Sequence, residues 1–470
     1  MKVVIDYRPS YKQYIYHTTD ADEVLYGGAA GGGKTKATVM DAFARCMAYP
    51  GTLAVIFRRT YSELEDTVIA EAKRSYPPEI AKYNVARHEC MLPNGSKILF
   101  RHCASVEDMY NYRGLEVQWL YFDELTSFEE TQYDFIRTRL RAPKMLGVKP
   151  ITRSTSNPGG IGHGWVKTRF VDAAPYMQKV RKDVYSAALH KTQTTITQYI
   201  PALATENPHI TQDYIFELEQ KPEALRNALL YGHWDAFEGQ VFVEWRNDPS
   251  HYRDHKWTHV IDPFEIPAHW PRYMSFDYGY SKPFSCGWWA LAPDGVAYRY
   301  REWYGWDGHA NVGLKLAPRQ IAEGIIEREE EERREGITIM RVADPAIFDA
   351  SRGESIAQMM EPISSVQTTR GAGVYFEKGD NARLAGLMQM HERLRFDERG
   401  RPKMQIFSSC PQFIRTIPNL PYDLKHVEDV DTDSEDHIFD EAKYFLMCAP
   451  MPIALPPKKK IKQYSPFEPA

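Results

Sequence analysis

The first half of the chain alternates apolar, strand-like runs with longer helix-like segments. Three runs have the length and apolar composition of buried strands: residues 24–26, 53–57 and 117–122. Three longer segments are helix-like: residues 34–47, 62–74 and 128–140. Two further strand-like runs flank Asn94-Gly95, a dipeptide that favours a hairpin turn. This alternation predicts a parallel sheet with helices on its faces.

The pattern changes after residue 235. A stretch rich in tryptophan, charge and proline follows, and we predict a linker there over residues 236–270. Beyond it, three consecutive strands, the last two joined by an Asp294-Gly295 turn, precede alternating helices and strands. The predicted elements are 272–276, 285–291, 296–304, 318–334, 339–343, 381–394, 403–407 and 436–447. We therefore expect a first domain over 1–235, a second α/β domain over 271–449, and a mobile tail over 450–470.

Composition narrows the class of protein. A chain of 470 residues with 43% apolar and 26% charged residues is expected to form two or three globular domains. The net charge of −5 means that any DNA contact must use local basic patches. The six cysteines are scattered, which favours reduced thiols in the cytosol. The polar start of the chain does not resemble a signal peptide, and no apolar run is long enough to span a membrane.

Charge clusters have a simpler interpretation than binding. The mixed-charge run over 327–335 is typical of a solvated helix face. Basic residues that follow the predicted strands and helices are candidate DNA contacts, although a solvated surface explains each of them as well. They are Arg58, Arg59, Arg137, Arg139, Arg141 and Lys458 to Lys460.

A glycine-rich segment between the first strand and the first long helix carries the strongest chemical motif. Residues 28–35 fit the pattern G-x-x-x-x-G-K-[ST], with Lys34 and Thr35 at its end. The glycines let backbone N–H groups face phosphates, and the helix N-terminus adds partial positive charge. Lys34 is predicted to reach the β- and γ-phosphates, and Thr35 to bind Mg²⁺. The predicted ATP contacts in the loop are Gly28, Gly31, Gly32 and Gly33.

Two acids and a polar turn complete the nucleotide site. Asp123 and Glu124 follow the buried strand over 117–122, where Asp123 is predicted to hold Mg²⁺ through water and Glu124 to deprotonate the attacking water. Thr155, Ser156 and Asn157 end another strand, where short polar side chains suit a γ-phosphate sensor. Adjacent acids after an apolar strand favour hydrolysis over transfer to a small substrate.

Together these motifs resemble, in order and spacing, the large terminase subunit of tailed bacteriophages. Two further stretches are similar to the same family, Glu206-Asn207-Pro208 through Asp235, and Trp270 through Gly279. The resemblance implies an ASCE-type P-loop ATPase followed by an RNase H-like nuclease. It also implies that residues 155–157 couple hydrolysis to movement, that Gln13 contacts adenine, and that Arg113 reaches a neighbouring subunit's ATP. Unlike some relatives, the chain has alanines rather than an arginine inside the P-loop.

Carboxylates in the second half match the predicted nuclease. Asp277 lies at the first strand of this region, Asp344 ends the fourth, and Asp436, His437 and Asp440 open the last helix. Cleavage by two metal ions needs carboxylates that converge on ions about 4 Å apart. The resemblance places the first two family acids on Asp277 and Asp344. The third acid is either Asp440, together with His437, or Asp436. Because most of these ligands are oxygens, the set favours Mg²⁺ or Mn²⁺.

The sequence therefore predicts an ATP-driven DNA translocase with a metal-dependent endonuclease, using ATP with Mg²⁺ and two Mg²⁺ or Mn²⁺ ions. The resemblance implies double-stranded viral DNA, a portal protein and a small terminase subunit as partners. It also implies a homo-oligomeric ring, a pentamer, in the host cytoplasm at the procapsid. The alternative is a P-loop helicase or repair ATPase with a noncatalytic DNA-binding domain. A nonenzymatic capsid-vertex protein is disfavoured by the intact P-loop and acid pair.

Overall fold

The computed structural model describes residues 5, 7–221, 223–235, 237, 239–351, 353–361, 373–423 and 429–449. Within them, one nine-stranded sheet occupies the first half of the chain and one seven-stranded sheet the second. The α/β class predicted for both halves is confirmed. The predicted tail over 450–470, with its lysines, lies outside the described residues.

The strands of the first sheet lie in the order β3-β4-β5-β2-β6-β7-β1-β9-β8. They are β1 (Glu23–Gly28), β2 (Leu53–Arg58), β3 (Lys82–Asn84), β4 (Glu89–Met91), β5 (Lys97–His102), β6 (Trp119–Asp123), β7 (Ile151–Ser156), β8 (Lys179–Ser186) and β9 (Lys191–Ala202). Neighbours from β5 to β9 pair in parallel, and the two edges are antiparallel hairpins. The predicted hairpin turn at Asn94-Gly95 joins β4 to β5.

Helices cover both faces of this sheet. They are α1 (Tyr11–Thr18), α2 (Lys34–Ala48), α3 (Tyr61–Glu63), α4 (Ala70–Ser75), α5 (Glu130–Arg137), α6 (His163–Val166), α7 (Gln212–Glu219) and α8 (Glu223–Leu229). Alternate strand residues enter two apolar clusters: Val55 and Phe57 pack on one side, and Ala54 and Ile56 on the other. Because β1, β2, β6 and β7 are parallel, their carboxyl ends meet at one edge of the sheet.

The second sheet has the strand order β10-β16-β13-β12-β11-β14-β15. Its strands are β10 (Val260–Ile261), β11 (Arg272–Asp277), β12 (Ser285–Leu291), β13 (Ala297–Tyr304), β14 (Ile339–Ala343), β15 (Glu377–Lys378) and β16 (Met404–Phe407). The helices are α9 (Pro318–Arg328), α10 (Glu330–Arg334), α11 (Ile356–Met360), α12 (Arg383–Leu394), α13 (Pro411–Thr416) and α14 (His437–Cys448). Apolar residues of α14 fill the core against β11 and β12.

Several sequence predictions are corrected by these elements. Val260–Ile261 lies inside the predicted linker but pairs with β16 as a strand of the second sheet. The hairpin of β8 and β9 was not predicted. The helix expected to reach residue 140 ends at Arg137, so Arg139 and Arg141 both lie beyond its end. The helix expected over 318–334 breaks into α9 and α10.

The mixed-charge run over 327–335 is also not a solvated face throughout. Glu329 and Glu332 are buried, with 4% and 6% of their surface exposed. Trp288 Nε1 donates to Glu329 over 2.9 Å, and Arg301 pairs with Glu332 at 3.0 Å. Among the described residues, no helix is both long and apolar enough to cross a bilayer.

Candidate nucleotide site and carboxylate cluster

The glycine-rich loop connects β1 to α2 at the carboxyl edge of the first sheet. Gly31 and Gly33 have φ angles of +72° and +71°, which other residues adopt at a cost. A Cβ on Gly31 would lie 2.2 Å from Ile210 Cδ1, so the Ile210 side chain would have to move to accept any other residue there. The loop therefore holds a fixed curl that directs its backbone toward the open space in front of α2.

That space is a cavity of about 730 Å³. Its volume is in the range of small-molecule sites. The lining combines the loop with side chains from other elements: Tyr7, Gln13, Gly31, Gly32, Gly33, Lys34, Thr35, Glu124, Asn157 and Asn207. The structure thus brings the predicted loop, Glu124 and part of the polar turn to one cavity. Gly28 is the last residue of β1 and lies just before this lining.

Lys34 is the cation at the base of the cavity. Its Nζ donates to Ala29 O at 2.6 Å and to Asn157 Oδ1 at 2.7 Å, and only 7% of the residue is exposed. Burial lowers the pKa of the Lys34 ammonium, while Glu124 and Asp123 oppose that shift. A buried ammonium with one carbonyl and one amide oxygen as partners is well suited to bind a polyanion.

Asp123 is surrounded by donors at the end of β6. Thr155 Oγ1 donates to its Oδ1 at 2.6 Å, and Thr35 Oγ1 lies 3.3 Å from the same oxygen. Arg58, which ends the neighbouring β2, places Nη1 2.5 Å from Asp123 Oδ2. The predicted Mg²⁺ pair, Thr35 and Asp123, is therefore together. Arg58, a candidate DNA contact in the sequence, is therefore an ion-pair partner of Asp123.

Glu124 has a left-handed backbone conformation, with φ of +55°, which turns its side chain toward the polar turn after β7. The Asn157 backbone N–H and Nδ2 each donate to a Glu124 oxygen at 3.1 Å. Ser156 Oγ lies 3.5 Å from Glu124 Oε2 and is closer to Thr126, at 2.9 Å. Burial, and then the charge of Asp123, raise the pKa of the Glu124 carboxyl. Such a shift is typical of a carboxylate positioned to accept a proton.

The two residues assigned by resemblance alone have different positions. Gln13 lines the cavity, but its Oε1 accepts the Ser10 N–H and its Nε2 donates to Gly33 O at 3.0 Å. In this state Gln13 connects α1 to the P-loop. Arg113 is exposed, lies over the Tyr110 ring at 4.4 Å and does not line the cavity. The structure thus does not bring Arg113 to its own chain's nucleotide site.

The predicted acids of the second half gather at one end of the second sheet. Asp277 ends β11, and Asp344 follows β14, the parallel neighbour in which Ala343 pairs with Phe276. Asp344 Oδ1 accepts the Ala346 N–H at 3.0 Å, so it also caps a short turn. Burial raises the pKa of Asp277 well above its usual value, and the charges of Asp440, Asp344 and Asp436 add to this shift.

Asp436 and Asp440 share one face at the start of α14, as their spacing predicts. Arg383 lies against that face, with Nη2 2.9 Å from Asp436 Oδ2 and Nη1 2.9 Å from Asp440 Oδ1. His437 Nε2 bonds Asn311 Oδ1 at 3.2 Å, and its Nδ1 lies 3.8 Å from Asp277 Oδ2. Burial lowers the pKa of His437 to about 4, and Lys282 contributes to this.

In this arrangement the acids do not fit the predicted pair of metal ions. Among the residues that the structure describes, no three His, Cys, Asp or Glu side chains are placed to hold one ion together. The physical reason lies at Asp436 and Asp440, whose oxygens accept hydrogen bonds from Arg383. The acids are close enough to affect each other's pKa, but the Asp436 side of the cluster is already neutralised by a cation.

Sequence reasoning missed the roles of two arginines. Arg58 meets Asp123 because β2 and β6 are neighbours in the sheet, an order that a single sequence does not state. Arg383 is the first residue of α12 and meets α14 more than 50 residues later in the chain. Neither arginine belongs to a local motif, so only the pairing of distant elements reveals them.

The comparisons with known proteins concern the same two halves. Residues 20–223 match the family model described as phage terminase large subunit. The resemblance that the motifs predict is confirmed by this match. No curated protein matches the sequence of the chain.

Solved structures of large terminases are similar at low identity. The large terminase of the thermophilic bacteriophage D6E has 17% identity and a TM-score of 0.40, over 93% of this chain and 98% of that chain. The large terminase of bacteriophage HK97 has 12% identity and a TM-score of 0.43, over 94% and 95% of the two chains. The nuclease domain of the P22 large terminase has 15% identity and a TM-score of 0.31, over 45% of this chain and 92% of its own.

Proposed function

We propose that this protein is the large subunit of a phage terminase, in which ATP hydrolysis drives double-stranded DNA into a capsid and a second domain cuts the DNA. One observation carries the proposal. Asn157 bonds both Lys34, which faces the phosphate cavity, and Glu124, the candidate general base. A P-loop, an acidic pair and a polar sensor joined by direct hydrogen bonds form an arrangement suited to nucleotide hydrolysis.

The cavity residues fit ATP with Mg²⁺. The curled loop offers backbone N–H groups, Lys34 a buried cation, and Thr35 with Asp123 the oxygens that Mg²⁺ prefers. When bound, the metal ion neutralises the phosphates of the nucleotide. Glu124 Oε1 or Oε2 would accept the proton of the attacking water, and its raised pKa suits that role. Asn157 keeps the carboxylate oriented through its backbone and side-chain N–H groups.

The polar turn after β7 is the proposed link between hydrolysis and movement. When phosphates replace the Asn157 oxygen at Lys34, Asn157 loses a hydrogen bond that ties it to the loop. Thr155 bonds Asp123 and Ser156 bonds Thr126, so a shift of this turn is transmitted to the end of β6 and to the turn that follows it. The residues predicted as a coupling motif therefore have contacts that can sense the nucleotide.

The remaining assignments extend this proposal to the whole assembly. We assign residues 1–235 to the motor, 236–270 to the connection and 271–449 to the nuclease. Gln13 would exchange its bond to Gly33 O for the adenine, and exposed Arg113 would serve a neighbouring subunit's ATP. The partners would be viral DNA, a portal protein, a small terminase subunit and further copies in a ring, which act at the procapsid in the host cytoplasm.

A Glu124→Gln variant tests the motor. The amide keeps the shape of the side chain but cannot accept a proton, so ATP turnover should fall by roughly a hundredfold or more while nucleotide binding persists. Turnover is measured as DNA-stimulated phosphate release, and binding by the fluorescence of a labelled ATP analogue. Glu116→Gln, at an exposed position, is the matched control. Turnover of the Glu124 variant at the rate of the unaltered protein would exclude the proposed mechanism.

A second candidate function is a P-loop helicase or repair ATPase whose second half only binds DNA. One observation favours it: Arg383 engages Asp436 and Asp440, so the acids are not arranged for metal ions. The two candidates differ in one assay. A terminase should cut plasmid DNA in the presence of Mn²⁺, whereas the alternative should bind the plasmid and leave it intact.

A further inference from the structure

Arg383 directs its N–H groups to three carboxylates and one backbone carbonyl. Its Nε donates to Asp429 at 2.7 Å, and its Nη1 to both Asp440 oxygens at 2.9 and 3.0 Å. Its Nη2 donates to Asp436 at 2.9 Å and to Val430 O at 3.2 Å. An arginine has five N–H donors in a rigid plane, and three carboxylates and a carbonyl use them here. With 21% of its side chain exposed, Arg383 is a half-buried part of the site.

A second cation reinforces this side of the cluster. Lys443 lies one turn after Asp440 on α14, and its Nζ donates to Asp440 Oδ1 at 3.0 Å. Only 4% of the Lys443 side chain is exposed, so its charge is held next to the carboxylate. Both oxygens of Asp440 therefore accept bonds from cations, and a divalent ion would need the same lone pairs.

The opposite side of the cluster lacks this neutralisation. In the part of the chain that the structure describes, no arginine or lysine forms an ion pair with Asp277 or Asp344; the ion pair of Asp277 is a distant one with His437, at 3.8 Å. The cluster is thus asymmetric. Asp436 and Asp440 are bound by a fixed cation, and Asp277 and Asp344, on adjacent strand ends, are not.

We propose that Arg383 is a built-in counter-cation that competes with a divalent metal ion for Asp436 and Asp440. Metal binding on this side of the cluster then requires the guanidinium to withdraw, since its N–H groups occupy the lone pairs that the ion would use and the two positive charges repel each other. Arg383 is a positioning residue, because it holds the acids together while no metal does. This inference rests on the proposed nuclease function and adds a control of its metal site.

Mn²⁺ binding by the full chain tests the competition. Arg383→Gln removes the charge, so the variant should bind Mn²⁺ roughly tenfold more tightly than the unaltered protein, or bind an additional ion. Isothermal titration calorimetry measures affinity and stoichiometry together. Arg395→Gln is the matched control, because Arg395 follows the same helix and is exposed beside Glu392. Equal or weaker Mn²⁺ binding by the Arg383 variant would overturn the proposal.

Thermal unfolding provides a second measurement of Mn²⁺ binding, which can be used even if Arg383→Gln is less stable than the unaltered protein. Without metal, Arg383→Gln should lower the melting temperature, because Asp429, Asp436 and Asp440 then repel one another. Mn²⁺ should raise the melting temperature of the variant more than that of the unaltered protein. Arg383→Lys keeps the charge but has fewer N–H donors, so the rise in its melting temperature with Mn²⁺ should lie between those of Arg383→Gln and the unaltered protein. A variant that Mn²⁺ fails to stabilise would show that Arg383 is purely structural and would contradict the competition.

Plasmid cleavage separates this inference from the proposed function. Tighter Mn²⁺ binding by Arg383→Gln without cleavage by either protein would support the competition and refute the nuclease. Cleavage by the unaltered protein with equal Mn²⁺ binding by both would support the nuclease and refute the competition.

Discussion

His163 is fixed in its neutral form by two hydrogen bonds of opposite direction. The Gly159 N–H donates to Nδ1 at 2.9 Å, so Nδ1 has no proton, and Nε2 lies 3.1 Å from Trp234 O, to which it donates. The ring is fully buried between Trp234 and Phe237, at centroid distances of 5.4 and 4.4 Å. A single side chain thus connects the turn after the proposed coupling residues to the segment that leaves the first sheet.

Acid should therefore destabilise this connection. Burial, with a contribution from Lys167, lowers the pKa of His163 to about 3. Below about pH 6.5 the unfolded chain binds a proton at this residue and the folded chain does not, so the free energy of unfolding decreases as the pH is lowered. The loss should reach about 2 kcal/mol at pH 5. The imidazole chemical shifts of histidine-labelled protein, assigned with a His163→Gln variant, should stay constant down to about pH 4. A titration midpoint near pH 6.5 would contradict this expectation.

At the scale of elements, α9 and α10 are joined by a buried carboxylate. Glu329 lies at the break between them, where Trp288 Nε1 donates to it over 2.9 Å and Arg341 forms an ion pair with it. Trp288 belongs to β12 and Arg341 to β14, so one side chain ties the helix pair to two strands of the second sheet. The mixed-charge run over 327–335 therefore attaches the helix pair to the second sheet as well as forming part of the surface.

Replacing Glu329 should destabilise the second half of the molecule. Glu329→Ala leaves the Trp288 N–H and the Arg341 guanidinium without their shared acceptor, at a cost of about 3 kcal/mol. The melting temperature, followed by tryptophan fluorescence, should fall by several degrees. Glu331→Ala, two residues along at an exposed position, removes the same charge and should have little effect. Equal melting temperatures for the two variants would show that Glu329 does not anchor the helix pair to the second sheet.

The elements that could be predicted from the sequence are those with a buried apolar face. The fully buried β1 and β6 are short apolar runs, and both were predicted. In contrast, β8 is exposed along most of its length and has polar residues on both faces, so it lacks the alternation that indicates a strand. The two-residue β10 is too short for any periodicity and becomes a strand only through its partner β16.

The candidate site divides in the same way. Lys34, Thr35, Asp123 and Glu124 occur in local motifs whose chemistry depends on chain neighbours, so the sequence could predict them. The bond from Arg58 to Asp123 depends on which strands lie side by side, and the bonds of Arg383 depend on the packing of α12 against α14. Long-range pairing decides how each acid is neutralised, and a single sequence carries no direct record of it.

At the scale of the whole molecule, each sheet carries its own set of acids, and each set meets an arginine from a distant element. The two halves also contact each other, since Glu130 of the first half accepts the Ala310 N–H of the second at 2.9 Å. This contact involves neither Lys34 nor Asp277. The two proposed activities should therefore be separable by substitution within either set.

Asp277→Asn should abolish DNA cleavage and leave ATP hydrolysis unchanged. The amide removes the carboxylate at the end of β11 that the other acids surround, while the cavity around Lys34 has no contribution from the second sheet. Cleavage is followed as loss of supercoiled plasmid in Mn²⁺, and hydrolysis as phosphate release in the same sample. Asp294→Asn, in the turn between β12 and β13, is the matched control, since its Oδ1 only accepts the Val296 N–H. Persistent cleavage by the Asp277 variant would show that the nuclease site lies elsewhere. A loss of ATP hydrolysis in the same variant would show that the two halves act as one catalytic unit and that the two activities are not separable.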